Sequence, residues 1–222
     1  MGDAAPAKYL QRFGLPFEFL AGYGVGYDPE RELIIVPHSQ AFFTSVYIGD
    51  PKKPCPIFQF KGRYEFFNYQ ALDYEFFVVT ENVFDALMLE YAGLQTVAIG
   101  SSANKEHFVD IVLAGYYTNN QMVLLAFGED ENSRKLSDWL KESLRSRGFF
   151  AADIRREVSD LLDPKKYKNQ EERRHYVSFV FSEDLHYHDE EKKEFDEEWR
   201  LTEFNRKCRR EFFETDKTDG DR

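Results

Sequence analysis

The middle of the chain alternates between short, continuously apolar runs and longer stretches whose apolar positions recur at helical spacing. "EFFVVT" (Glu75 to Thr80), "LQTVAIG" (Leu94 to Gly100) and "QMVLLAF" (Gln121 to Phe127) are too apolar for one-sided strands. Between and after them lie "NVFDALMLEYAG", "SSANKEHFVDIVLAG" and "ENSRKLSDWLKESLRSRG". The last puts Leu136, Leu140 and Leu144 on one helical face, and Gly93 and Gly148 stand where helices stop. Strands buried on both sides and separated by helices predict an α/β fold with a parallel sheet flanked by helices. The first seventy residues read differently. "ELIIVPH", "AFFTSVYIGD" and "PIFQFKGRYEFFN" are short, aromatic strand candidates broken by Gly, Pro and Asp. They predict a small aromatic-rich antiparallel lobe, opened by a helix over "AKYLQRFG".

The end of the chain changes character again. From Glu183 to Arg222 there are 15 acidic and 9 basic residues, a net charge of −6 out of −11 for all 222 residues. "DEEKKEFDEEWRLTEFNRKCRREFFE" interleaves both signs around Phe195, Trp199, Leu201 and Phe204. This predicts a charged helix with a thin apolar stripe, lying on the body or on a partner, before a disordered end. The organisation expected is therefore an N-terminal lobe over 1–72, a parallel-sheet unit over 73–165 and a charged helical extension over 166–222. No internal repeat is present.

Bulk properties narrow the function classes. The net charge argues against coating nucleic acid through overall charge, though it leaves room for a local basic groove. Cys55 and Cys208 flank no motif, so neither a disulfide framework nor a zinc site is expected. No apolar run has the length of a signal core or a membrane span, which points to a cytoplasmic protein without membrane contact.

Two of the strands end in carboxylates. Glu81 follows the first, and Glu129, Asp130 and Glu131 follow the third. In open parallel sheets, ligands bind beyond the carboxyl ends of the strands. If these strands are neighbours, four acids converge at one edge, and their repulsion calls for a cation. Hard oxygen ligands on loops suit Mg²⁺ or Mn²⁺, which serve phosphoryl transfer. Acids near helix starts also cap free N–H groups, and Asp85 in particular can simply solvate a first turn. Asn132 and Ser133 favour a turn after Phe127 that would bring Glu129 or Glu131 inward.

Taken together, "VVTENVFDAL", "VAIGSSANKEH" and "LLAFGEDENSRK" resemble a TOPRIM domain, the metal-binding unit shared by bacterial-type DNA primases, topoisomerases and some nucleases. The resemblance covers Tyr74 to Pro164. It implies that Glu81 is the catalytic acid, Asp85 the helical Asp, Gly100 the glycine at the second strand end, and Asp130 the second acid of an Asp-x-Asp pair. "IRREVSDLLDP" is similar to a segment that follows the domain in primases, with Asp160 as its acid. Upstream, "YLQRFGLPFEFLAGYGVGYDPERELIIVPH" and "PIFQFKGRYEFFN" resemble the N-terminal lobe of a primase core, which would place Lys61 and Arg63, together with Lys135 of the third motif, near nucleic acid or nucleotide. Two departures stand out: Asn82 replaces the glycine after the family's Glu, and Gly128 replaces the first Asp of the pair.

The resemblance implies metal-dependent ribonucleotide polymerisation on single-stranded DNA, as in replication of a phage or mobile element, with Mg²⁺ or Mn²⁺ as cofactor and a replication protein as partner for the charged helix. With no zinc module or helicase segment in the sequence, the chain corresponds at most to the catalytic part of a primase. A TOPRIM nuclease and a catalytically lapsed module that binds nucleic acid or a protein are the alternatives. The histidines of "HYHDEE" are expected to be solvated. "GYGVGYD" fails as a phosphate loop because it neither follows a strand nor opens a helix.

Overall fold

The computed structural model describes residues 4–52, 64–114, 121–163, 165–167, 169–177 and 188–203. A helix α1 (Ala4–Leu10) and a 3₁₀ turn (Gln11–Phe13) open it, ended by Gly14 in the left-handed region. Helix α2 (Phe17–Gly22) then leads into a three-stranded antiparallel sheet of β1 (Gly26–Asp28), β2 (Leu33–Pro37) and β3 (Phe43–Tyr47), in that order. The third expected strand of this lobe falls largely within residues 53–63, outside the described ones. Its end is described: Phe67 makes an isolated antiparallel bridge to Ala98 of the second sheet.

That second sheet is parallel throughout. It consists of β4 (Phe76–Thr80), β5 (Thr96–Ala98), β6 (Met122–Leu125) and β7 (Phe150–Asp153), in the order β5-β4-β6-β7. The three apolar runs thus become neighbouring parallel strands, as their two-sided burial predicts. β7 completes the sheet from "FAAD", a four-residue run with two alanines, too short and weakly patterned to be read as a strand.

Alternation along the strands sorts the core into two faces. Phe77, Val79, Val123, Leu125 and Ala151 face α4 (Lys105–Ala114) and α5 (Glu131–Arg145), where Phe108, Val112, Leu136, Leu140 and Leu144 meet them. Val78, Met122, Leu124, Phe150 and Ala152 face the other way, towards Leu89 and Ala92 of α3 (Val83–Ala92) and Val158 of the short α6 (Arg155–Val158). The remaining flank of α3 is apolar too, and receives the N-terminal lobe: Phe84, Leu87 and Met88 pack with Leu20, Ile34, Val36 and Phe67. Phe13 stacks on Phe84 with ring centroids 4.4 Å apart. This double duty explains why α3 has almost no polar face.

A polar lock also joins lobe and sheet. Glu90 accepts hydrogen bonds from Tyr23 Oη (2.9 Å), Asn68 Nδ2 (2.6 Å) and the Thr96 N–H (2.5 Å). Burial pushes the Glu90 carboxyl up against the pull of these donors.

Helical residues 170–177 and 188–203 follow. Phe195 meets Phe150 edge-on, Trp199 stacks on Phe195, and Arg145 pairs with Glu191 at 2.5 Å. The charged helix therefore docks on the protein's own sheet. Its expected stripe is shorter than the sequence suggested: Phe195 and Trp199 are one turn apart, whereas Leu201 points elsewhere and is 63% exposed. Phe204 lies outside the described residues. His188, expected to be solvated, is buried, with Nδ1 3.5 Å from Glu191. Among the described residues no helix is long and apolar enough to cross a membrane.

Candidate functional site

The two central strands leave the sheet in opposite senses. From β4 the chain passes through α3 to β5 on one side, and from β6 through α5 to β7 on the other, the two helices lying on opposite faces. A crevice opens beyond the carboxyl ends of adjacent parallel strands wherever this divergence occurs. Glu81 follows β4 and Asp130 follows β6, so both acids stand at that switch point. They line one cleft of about 570 Å³, together with Ser102, Lys105, Asn132, Ser133, Lys135, Leu136 and Trp139.

Backbone pairing fixes the first acid. The Gly100 N–H donates to the Glu81 carbonyl at 2.9 Å, extending the β4–β5 ladder one step past its last residues. The Ser102 N–H then reaches Glu81 Oε1 at 3.2 Å. Gly100 has φ of +78°, and a Cβ there would collide with the Tyr64 phenol, so both the backbone conformation and the close approach require glycine. Asn82 acts as the N-cap of α3, its side chain accepting from the Phe84 N–H at 2.8 Å. This gives the asparagine a structural purpose at the position where the resemblance called for glycine.

Asp85 lies one turn beyond Glu81, in the first turn of α3. Burial, and secondarily the nearby Glu81 charge, push its carboxyl from 3.8 up to about 6. A helix start would lower it; burial dominates.

The second acid is set by the start of α5. Asp130 Oδ1 accepts from the N–H groups of Asn132 (3.0 Å) and Ser133 (3.1 Å), and Oδ2 accepts from Ser133 Oγ (2.6 Å). The Ser133 hydroxyl, then its N–H, hold this exposed carboxylate below the usual range. The turn anticipated around Asn132 and Ser133 is present, but it serves Asp130 itself.

The four-acid convergence expected from the sequence is not assembled. Among the described residues no group of three or more His, Cys, Asp or Glu side chains could hold an ion together. Glu129 is exposed and Glu131 opens α5 paired with Lys135 at 2.6 Å; neither lines the cleft. Three consecutive acids entering a helix diverge around its axis, so one capping residue can face the cleft while its neighbours turn to solvent. Asp160 is also elsewhere: it pairs with Lys166 and faces Tyr176, and does not line the cleft. Lys61 and Arg63 lie outside the described residues.

Gly128 stands just before the capping turn. A Cβ there would lie 3.2 Å from both Asp130 Oδ2 and Ser133 Oγ. A side chain at 128 would therefore be directed at the Asp130 carboxylate.

In kind, the donor set suits a hard divalent cation: two carboxylates at one strand edge, with hydroxyl oxygens beside them. In number it suits a magnesium-like ion that keeps much of its shell as water or substrate oxygen. The sequence reading missed Lys105 and Trp139, which enter the cleft from the start of α4 and the middle of α5.

No protein-family model matches the chain, and no characterised protein matches it in sequence. Solved structures do. The Aquifex aeolicus primase, with its zinc-binding and RNA polymerase domains, superposes with a TM-score of 0.57 at 14% identity, covering 87% of this chain and 62% of that one. The DnaG catalytic core superposes with a TM-score of 0.52 at 18% identity, covering 81% of this chain and 76% of that one. The fold is that of a primase catalytic core. The chain spans under two thirds of the Aquifex primase structure, and at these identities the likeness concerns architecture.

Proposed function

We propose that the protein is a primase-like enzyme of TOPRIM type, joining ribonucleotides on a single-stranded DNA template with Mg²⁺ or Mn²⁺ as cofactor. One observation carries the reading: on a primase-core fold, Glu81 and Asp130 share a cleft at the switch point between β4 and β6. A divalent ion at these two carboxylates would neutralise phosphate charge where a nucleotide is attacked. The chain's own residues supply position. Gly100 and Ser102 hold Glu81, Ser133 and the start of α5 orient Asp130, and Lys135 is a cation in the same cleft for phosphate oxygens. By the resemblance, Lys61 and Arg63 would add contacts to the nucleic acid. Preorganised charge of this kind lowers a barrier without reorganising during reaction.

A second reading has a specific observation in its favour. Gly128 offers no ligand, and Asp130 already accepts three hydrogen bonds. A module that binds nucleic acid or a protein without chemistry would retain the same fold. Titration of thermal stability with Mn²⁺ separates the two: a working site gives saturable stabilisation in the parent that disappears in Glu81→Gln. A parent that shows no stabilisation, and whose template binding is unaffected by Glu81→Gln, is a binding module.

A further inference from the structure

The cleft at the β4–β6 switch point holds cations as well as acids. Lys105 opens α4, half-buried, with Nζ 4.3 Å from the centroid of the Trp139 ring on α5. No carboxylate among the described residues pairs with it, although Glu81 and Asp130 line the same cleft. Lys135, one turn before Trp139, enters the cleft from the α5 side and is paired with Glu131. The formal charges of the lining residues cancel, two negative against two positive. Such a cleft is not built for a cation alone.

An ammonium resting on an indole face is attracted to it only modestly, and its N–H donors find only the weak acceptor of the π face. A phosphate oxygen offers a charge-assisted hydrogen bond, which is stronger. The flexible four-carbon stem lets the ammonium move between the two without disturbing α4. Lys105 and Lys135, on separate helices, can then meet separate phosphates of one chain of phosphates, and about 570 Å³ is ample for such a group.

We propose that Lys105 is a phosphate-binding residue of this cleft, stored on Trp139 and transferred to a polyphosphate, so that the cleft takes polyphosphate even without a divalent cation. The inference concerns the site assigned above to nucleotide, but it requires neither template nor chemistry.

The probe is inorganic tripolyphosphate, titrated into the full chain in EDTA and followed by calorimetry. The sequence has two tryptophans, so Trp199→Phe leaves Trp139 as the sole tryptophan, and its selectively excited emission provides an optical readout of the same event. The parent gives a saturable isotherm, and emission from Trp139 changes as the ammonium departs. Lys105→Met, which keeps the stem against the ring and removes the charge, weakens binding by about tenfold or more, as expected for one charge-assisted contact. No saturable binding in EDTA, or binding by Lys105→Met equal to that of the parent, overturns the proposal. The polymerase reading fails separately. A parent that binds tripolyphosphate in EDTA but never extends a primer with Mg²⁺ contradicts that reading alone. One that extends, yet binds tripolyphosphate only with Mg²⁺, contradicts this proposal alone.

Discussion

Asp85→Asn tests the electrostatics behind Glu81 through a pH-dependent stability change. Burial raises the Asp85 carboxyl in the folded protein to about 6, against an ordinary value of 3.8. Between those values the folded state binds more protons than the unfolded state. Stability contributed at this position is therefore greatest below the unfolded value and declines as pH rises towards the folded one, with the full penalty in place above it. A difference of about two pKa units corresponds to about 3 kcal/mol. Asparagine removes the ionisation and with it the penalty, but leaves a buried amide whose own desolvation costs about 1–2 kcal/mol. That second cost is independent of pH, so the informative quantity is how the stability gap between variant and parent changes. Urea unfolding in EDTA, extrapolated to water at pH 3.5 and pH 8, should show the gap moving by about 2–3 kcal/mol in favour of Asp85→Asn at the higher pH. A gap constant to within about 0.5 kcal/mol would refute the assignment of a raised carboxyl. Because Glu81 contributes to the shift, Glu81→Gln should reduce the movement without abolishing it.

Other expectations concern the supports of the site. Gly100→Ala should lower stability by about 2 kcal/mol or more, from left-handed backbone strain plus collision with Tyr64, as read by chemical unfolding. Tyr23→Phe should cost about 1–2 kcal/mol and Glu90→Ala about 3 kcal/mol, since the latter also strands Asn68 and the Thr96 N–H. The double variant should cost less than their sum, and strict additivity would mean the lock between lobe and sheet is not cooperative. Gly128→Asp directs a second carboxylate at Asp130, so its melting temperature should fall in EDTA and rise more steeply with Mn²⁺ than the parent's. An unchanged Mn²⁺ response would show that position 128 does not reach the ion.

The parallel sheet was legible because its strands are apolar on both faces and are punctuated by acids or glycine at their ends. β7 was not, since Phe150, Ala151 and Ala152 make too short an apolar run to stand out beside the preceding helix. The charged helix showed its packing residues Phe195 and Trp199, but the same pattern included Leu201, which the helical angle carries to solvent. At the site, strand order placed Glu81 and Asp130 together. Sequence alone could not say which of Glu129, Asp130 and Glu131 would turn inward, because that depends on which one caps α5. Lys105 and Trp139 were hidden for another reason: their proximity comes from the packing of α4 on α5, which no local pattern encodes.

The central claim is that Glu81 and Asp130 form the working edge of a nucleotidyl-transfer site. The most direct measurement incubates the full chain with single-stranded DNA templates, ribonucleoside triphosphates and Mg²⁺ or Mn²⁺, and resolves the labelled products by length. The account predicts template-dependent RNA products from the parent, abolished by EDTA and reduced at least about a hundredfold in Glu81→Gln, as for loss of a group that stabilises transition-state charge. Absence of products from the parent with either ion, or equal products from Glu81→Gln, would contradict it.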